Sequence, residues 1–186
     1  MISQAGENRD TIACLEEVKK TVAKTFSIVN VAESSIARLS DETILTLAGP
    51  EIGVASTKAF TTQLFTLLIL AVKLGVAKNK VSPDEEITII DDLIEIPSLM
   101  TKTLNNEAKI RNIASEIYTA RDVLYLGRGE AHAIALEGAL KLKEISYIHA
   151  EVYAAGELKH VPIALVDENV PVIGILPTNK IFNKTA

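Results

Sequence analysis

Residues Leu124 to Pro162, LYLGRGEAHAIALEGALKLKEISYIHAEVYAAGELKHVP, decide how the rest of the chain is read. The stretch opens as a short apolar strand, turns at Gly127-Arg128-Gly129 and continues as a helix. Glu137, Lys141 and Glu144 stand at i, i+4 and i+7, so a helix places all three on one face. Ala135, Leu136, Ala139 and Leu140 form the adjoining apolar stripe, expected to hold that helix against a sheet. Two readings of the charged face are open. A carboxylate, an ammonium and a second carboxylate on a rigid surface make a proton-transfer unit, in which the lysine keeps one carboxylate ionised. The same spacing also describes a solvated helix pair of about 0.2–0.5 kcal/mol, the commoner use of a charge stripe.

Outward from this stretch, the pattern is strand, helix, strand. Pro171 to Leu176, PVIGIL, reads as a buried strand, and Phe26 to Asn30 and Thr43 to Leu47 read as short strands with β-branched content. A helical turn over Ser34 to Arg38 and a helix from Arg9 to Lys24 alternate with them, which predicts parallel sheets covered by helices. A helix from Thr57 to Leu74 is capped at Ser56 or Thr57 and ended by Gly75. Its almost wholly apolar middle predicts burial, as between subunits. Ser82 is a predicted cap, with Asp84, Glu85 and Glu86 in the first turn. That helix is expected to end near Glu95, with a new one from Pro97 to Leu104 and another from Glu107 to Ala120.

Composition narrows the function classes. The 186 residues carry a net charge of −5, which argues against a general nucleic-acid surface. There is no Trp and no aromatic run interleaved with Arg or Lys. One cysteine, Cys14, and three scattered histidines predict no disulfide framework, no metal site and no cofactor. No secretory signal is evident at the N-terminus. Lys73 interrupts the densest apolar run, Leu67 to Val72, which predicts no membrane span. A cytoplasmic protein fits these features.

The wording LEGALKLKEISYIHAEVYAAGELKH resembles the isomerase half of glutamine–fructose-6-phosphate aminotransferases, a pair of sugar isomerase (SIS) domains. Met1 to Asn8 resembles the phosphate loop of the first SIS domain, SQSGET in its usual form. Gly49 to Phe60 contains EIGVASTKAF, as the family does. The resemblance covers the whole chain but only the middle of the family's length. It lacks the glutaminase domain and the C-terminal lysine that forms an imine with fructose 6-phosphate. It implies a three-layer αβα fold of two incomplete SIS units joined by helices. Residues 1–79 would be the end of the first, 80–121 a helical connection and 122–186 the start of the second.

By the same resemblance, Glu144 moves a proton between C1 and C2 of the sugar, supported by Lys141 and Glu137. His160 assists ring opening at a neighbouring subunit's site. Ser3 and Gln4 bind the phosphate, while Val54 and Ser56 line the sugar site. The implied partners are fructose 6-phosphate or glucosamine 6-phosphate and a second copy in a homodimer, with no nucleic acid or membrane. Taken alone, Ser3 and Ser56 are ordinary caps, Val54 is core, and His160 is a surface histidine; His132 and His149 receive no role. Three positions depart from the family. Ala5 replaces a hydroxyl donor, Asn8 replaces Thr, and Val161 replaces Gly beside His160. These departures keep three readings open: an enzyme completed by another chain, a sugar-phosphate-binding module, and a truncated copy retaining only packing. Both ends fall at nearly the same point of the internal repeat, so a single sheet closed in permuted order, or halves exchanged with a partner, is a further expectation.

Overall fold

The computed structural model of the chain describes residues 1–22, 24–160, 162–178, 180 and 182. Val161, singled out above, lies outside the described residues. Two compact units divide the chain, Met1–Thr101 and Lys102–Ala186. Each unit holds one three-stranded parallel sheet. Among the described residues, strands lie in two sheets, contrary to the expectation of one closed sheet, because the strands of each half pair with one another.

In the first unit, β1 (Ile2–Ser3), β2 (Phe26–Val29) and β3 (Glu42–Leu45) lie side by side in that order. Ile28 stands opposite Ile2 on one side and Ile44 on the other. Parallel neighbours require crossover connections, here the helices α1 (Arg9–Val18) and α2 (Ser35–Leu39). Leu15 from α1, Val29 from β2 and Ile36 from α2 are fully buried and form the core. Each such side chain contributes about 1.5–3 kcal/mol by leaving water. Buried Ser27 shares a hydrogen bond with Thr43 (Oγ–Oγ1 2.8 Å), which satisfies both hydroxyls across β2 and β3.

α3 (Lys58–Ala77) runs past the predicted stop at Gly75. Val81 packs against Gly75, and a Cβ there would lie 2.6 Å from Val81 Cγ2. The glycine therefore serves a close approach, and Asn79, at φ 53°, makes the left-handed turn instead. Only Ala59 and Val72 of α3 are buried within the chain. By length and composition alone α3 is apolar enough to cross a membrane, with a mean hydropathy of 1.7, so Lys73 does not shorten the apolar stretch as anticipated.

α4 (Pro83–Leu104) is continuous through Pro97, where two helices were expected. Proline deprives one preceding carbonyl of its donor, but α4 has no buried residue, so water can serve that carbonyl. The boundary between the units falls in the last turn of α4.

The second unit contains α5 (Glu107–Ile117), β4 (Asp122–Gly127), α6 (Glu130–Ser146), β5 (His149–Ala154) and β6 (Val172–Gly174). β4 is central, between β5 and β6, with Leu124 opposite Glu151 and Val172. Val123, Tyr125, Ala135, Ala139 and Ala150 form the core. α6 lies on the sheet through Ala131, Ala135 and Ala139, all buried, while Leu136 and Leu140 are exposed. The predicted stripe is thus displaced by about one position, since close approach to the sheet selects small residues. β6 is likewise only partly covered, with Val172 exposed, where a buried strand was expected.

Candidate functional site

Functional side chains predicted from sequence fall into two groups, one in each unit. In the first unit they sit on loops that leave the carboxyl ends of the strands, where open α/β sheets present ligand sites. The loop after β1 is held by its own atoms. Ser3 Oγ accepts from the Gly6 N–H (3.0 Å), and Gly6 O accepts from the Ile36 N–H (3.0 Å). Gly6 has φ 70° and no room for a Cβ, which would lie 2.1 Å from Ser34 Oγ. Glu7 accepts from the Ser35 N–H (2.8 Å) and hydroxyl (2.7 Å), and these bonds hold its carboxyl below the usual range. The loop is thereby fastened to the start of α2.

Asn8 caps α1 by accepting from the Thr11 N–H (2.9 Å) and hydroxyl (3.0 Å). Its oxygen is spent on the helix, which leaves the amide NH2 as its remaining donor group. Ala5 is exposed and brings no side-chain donor.

The second loop of this unit follows β3. Val54 lies on it, 94% exposed, so the core reading of this valine is wrong within this chain. Thr57, one of the two predicted cap positions, takes the N-cap of α3 but makes no side-chain cap bond. Glu51 accepts from the Thr57 N–H instead (3.0 Å). A groove of about 530 Å3 in this unit is apolar and runs between β3 and α3, lined in part by Phe65, Ile69 and Leu70. It is a packing space along the helix and carries none of the polar groups named above.

In the second unit the helix spacing does what periodicity demands. Lys141 Nζ lies 2.7 Å from Glu144 Oε2 and 3.4 Å from Glu137 Oε1. All three side chains are partly buried, at 20–33% exposure, unlike the solvated pairs Lys20–Glu17 and Arg111–Glu107 at 67–76%. The hydrogen bond to Glu144 outweighs partial burial and, with the charges of Glu137 and Glu144, raises Lys141 above its usual range. Lys141 is therefore a fixed cation at neutral pH, and of the three side chains only the carboxylates are suited to exchange a proton there. His160 lies in the turn after β5, 70% exposed, 3.9 Å from Glu157 Oε2. It touches none of the three α6 residues through any described hydrogen bond. His149 pairs with Asp122 (2.9 Å) on the surface, and His132 Nδ1 is buried without a partner. Among the described residues, no group of three His, Cys, Asp or Glu is placed to hold a metal.

The sequence profile of the SIS domain matches residues 1–73 and 116–185. This chain belongs to the SIS domain family. Among SIS relatives, it is 56% identical over 184 residues to the glutamine–fructose-6-phosphate aminotransferase of Bradyrhizobium diazoefficiens, and 55% identical over 185 residues to that of Rhizobium meliloti. Each comparison takes in 99% of this chain. The chain spans about 30% of the length of these relatives. The C-terminal domain of glucosamine-fructose-6-phosphate aminotransferase from Francisella tularensis superposes with a TM-score of 0.96 at 44% identity. It covers 99% of this chain, which covers 52% of it. Tagatose-6-phosphate ketose/aldose isomerase from Escherichia coli shares the fold at 16% identity, with a TM-score of 0.70 and 99% of this chain covered against 49% of that one.

Several residues that build these SIS loops were assigned no role from the sequence, although Glu7 and Glu51 lie within the quoted motifs. Glu7, Asn30 and Glu51 each bond backbone groups of a neighbouring segment. Asn30 was marked only by its place at a predicted strand end, since no local motif marks an amide that serves another loop.

Proposed function

We propose that the chain is the middle part of the isomerase region of a glutamine–fructose-6-phosphate aminotransferase, acting on fructose 6-phosphate and glucosamine 6-phosphate in amino-sugar synthesis. The observation that carries this reading is the half-buried Glu137–Lys141–Glu144 set. In this reading Glu144 takes the proton from C1 of the open-chain ketose, the C1–H electron pair becomes the C1–C2 double bond, and the C2=O π pair moves onto O2, which takes a proton from solvent to complete an enediol. Glu144 then returns its proton to C2 as the C1–C2 π pair bonds it, while O1–H gives its proton to solvent and the C1=O bond of the aldose forms. Lys141 keeps Glu144 ionised and Glu137 orients Lys141. Ser3 and Gln4, with the backbone N–H groups ahead of α1, hold the phosphate, and Val54 and Ser56 face the sugar. Ala5 removes one donor, which costs on the order of 1–3 kcal/mol if unreplaced.

His160 opens the sugar ring at the site of a second copy in a homodimer. Its exposure supports availability to another chain. The exposed Leu64, Leu68, Ile69 and Leu74 of α3 support a face covered by that copy. The chain divides as 1–79, the end of one SIS domain, 80–121, a helical connection, and 122–186, the start of the next. It works in the cytoplasm without cofactor.

The test is NMR of fructose 6-phosphate in D2O with the purified chain, alongside calorimetric binding. Loss of C1 proton exchange in Glu144→Gln with binding retained, and loss of binding in Ser3→Ala, is the expected result. Exchange unaffected by Glu144→Gln sinks the proton-transfer role. Binding without exchange by the unmodified chain leaves the sugar-phosphate-binding module as the better reading.

A further inference from the structure

At the carboxyl end of β2, one side chain engages both loops of the first unit. The Asn30 backbone N–H donates to Gln4 O (3.0 Å), which joins the residue to the loop after β1. Its side chain turns to the loop after β3. Nδ2 donates to Gly49 O (2.8 Å), while Oδ1 accepts from the Ala48 N–H (2.8 Å) and the Thr46 hydroxyl (3.2 Å). Both acceptor positions of the amide and one of its donors are thus committed to residues 46–49.

That loop needs holding. Leu47 has φ 55° and Gly49 φ 70°. A branched, bulky side chain adopts this left-handed backbone only when its surroundings impose it. Leu47 is 81% exposed, so packing does not impose it. What does is the set of bonds to Asn30 from the residues on either side of Leu47.

We propose that Asn30 is a positioning residue for sugar-phosphate binding. It sets the loop that leads to Val54 and Ser56 in register with the loop that carries Ser3 and Gln4. This rests on the sugar-phosphate reading above. Asn30 touches no substrate in this role; it decides whether the sugar-facing loop stands where the phosphate loop delivers its ligand.

The experiment titrates the full chain with fructose 6-phosphate and, separately, with inorganic phosphate, comparing Asn30→Asp and Asn30→Ala. Asn30→Asp keeps the two accepted bonds and sets an oxygen against Gly49 O. Amide hydrogen exchange is followed at Ala48 and Ile28 in the same samples. Fructose 6-phosphate binding is expected to weaken about tenfold or more in both variants, since Asn30→Ala loses all three side-chain bonds and Asn30→Asp loses one and sets two oxygens against each other. Inorganic phosphate, which needs only the first loop, is expected to change less than about twofold, and Ala48 exchange to accelerate with Ile28 unchanged. A merely structural role would move both ligands and both amides together. Should Asn30→Ala unfold, Thr46→Val, which removes one bond to Oδ1, gives the same pattern at about two- to threefold. Fructose 6-phosphate binding within twofold of the unmodified chain in these variants overturns the proposal alone, as does an unprotected Ala48 amide in the unmodified chain. Failure of the unmodified chain to bind either probe overturns the sugar-phosphate reading, and this proposal with it.

Discussion

Replacing Gly127 by alanine is expected to damage the second unit far more than its one methyl group suggests. Gly127 closes β4 and leads into α6, and a Cβ there would lie 2.3 Å from Ala131 O, 2.6 Å from its carbonyl carbon and 2.7 Å from His132 Cα. All three are backbone atoms of the first turn of α6, so no rotamer change relieves the contact. Restoring ordinary separations requires the helix end to withdraw by about 1 Å. Ala131, Ala135 and Ala139 are 0–2% exposed beneath that helix, and withdrawal opens space under them. Overpacking of this kind costs about 1–3 kcal/mol, and the loosened packing adds to it. Together about 2–4 kcal/mol is expected, or roughly 10–20 °C in the melting of a unit this size. Circular dichroism during urea unfolding measures it, with Gly156→Ala as the control. There the nearest atom to a new Cβ is Arg128 Cζ at 4.0 Å, and a change within about 0.5 kcal/mol is expected. Gly127→Ala within that same margin would refute the argument that α6 is seated by backbone contact.

Two further outcomes follow from the caps. Ser82 and Glu85 exchange hydrogen bonds at the start of α4 (Ser82 N–H and hydroxyl to Glu85, 2.8 Å each; Glu85 N–H to Ser82, 3.3 Å), so Ser82→Ala should lose about 1 kcal/mol in urea unfolding; no loss would mean the helix start is held by other means. Hydrogen bonds to Ser35 hold Glu7 below its ordinary 4.5, so this group favours the folded chain above that pH, and the benefit disappears as pH falls through the lower folded value. Acid titration followed by tryptophan-free near-ultraviolet signals or NMR should show Glu7→Gln flattening the drop in stability below about pH 4.5; an identical acid limb in the variant would remove Glu7 from that account.

The fold class was legible because short β-branched runs alternate with helical spacing, and that alternation admits few arrangements other than parallel strands with helical crossovers. The contacts among Glu137, Lys141 and Glu144 were legible for a similar reason, since a helix repeat determines which side chains meet. Where the sequence misled, a competing contact decided. Gly75 looked like a helix stop, but it is the space Val81 occupies. Pro97 looked like a break, and an exposed helix tolerates it. Leu136 and Leu140 looked like the seat of α6, but a helix this close to its sheet rests on alanines. The roles of Glu7 and Asn30 were hidden altogether, because each acts across 16 or more residues on a backbone partner that no local pattern names.

The place of β4 between β5 and β6 has a kinetic consequence. β4, α6 and β5 are consecutive, so their pairing closes only the span of one helix, whereas β6 must return to β4 across the turns that follow β5. Loop closure makes the nearer pairing the earlier one. The β4–α6–β5 segment is therefore expected to form first and β6 to dock after it. Weakening β6 accordingly quickens unfolding while leaving the refolding rate nearly untouched, whereas weakening the Ala135–Val123 contact slows refolding. The helix that bears Glu137, Lys141 and Glu144 is therefore expected to be in place before the sheet beneath it is complete.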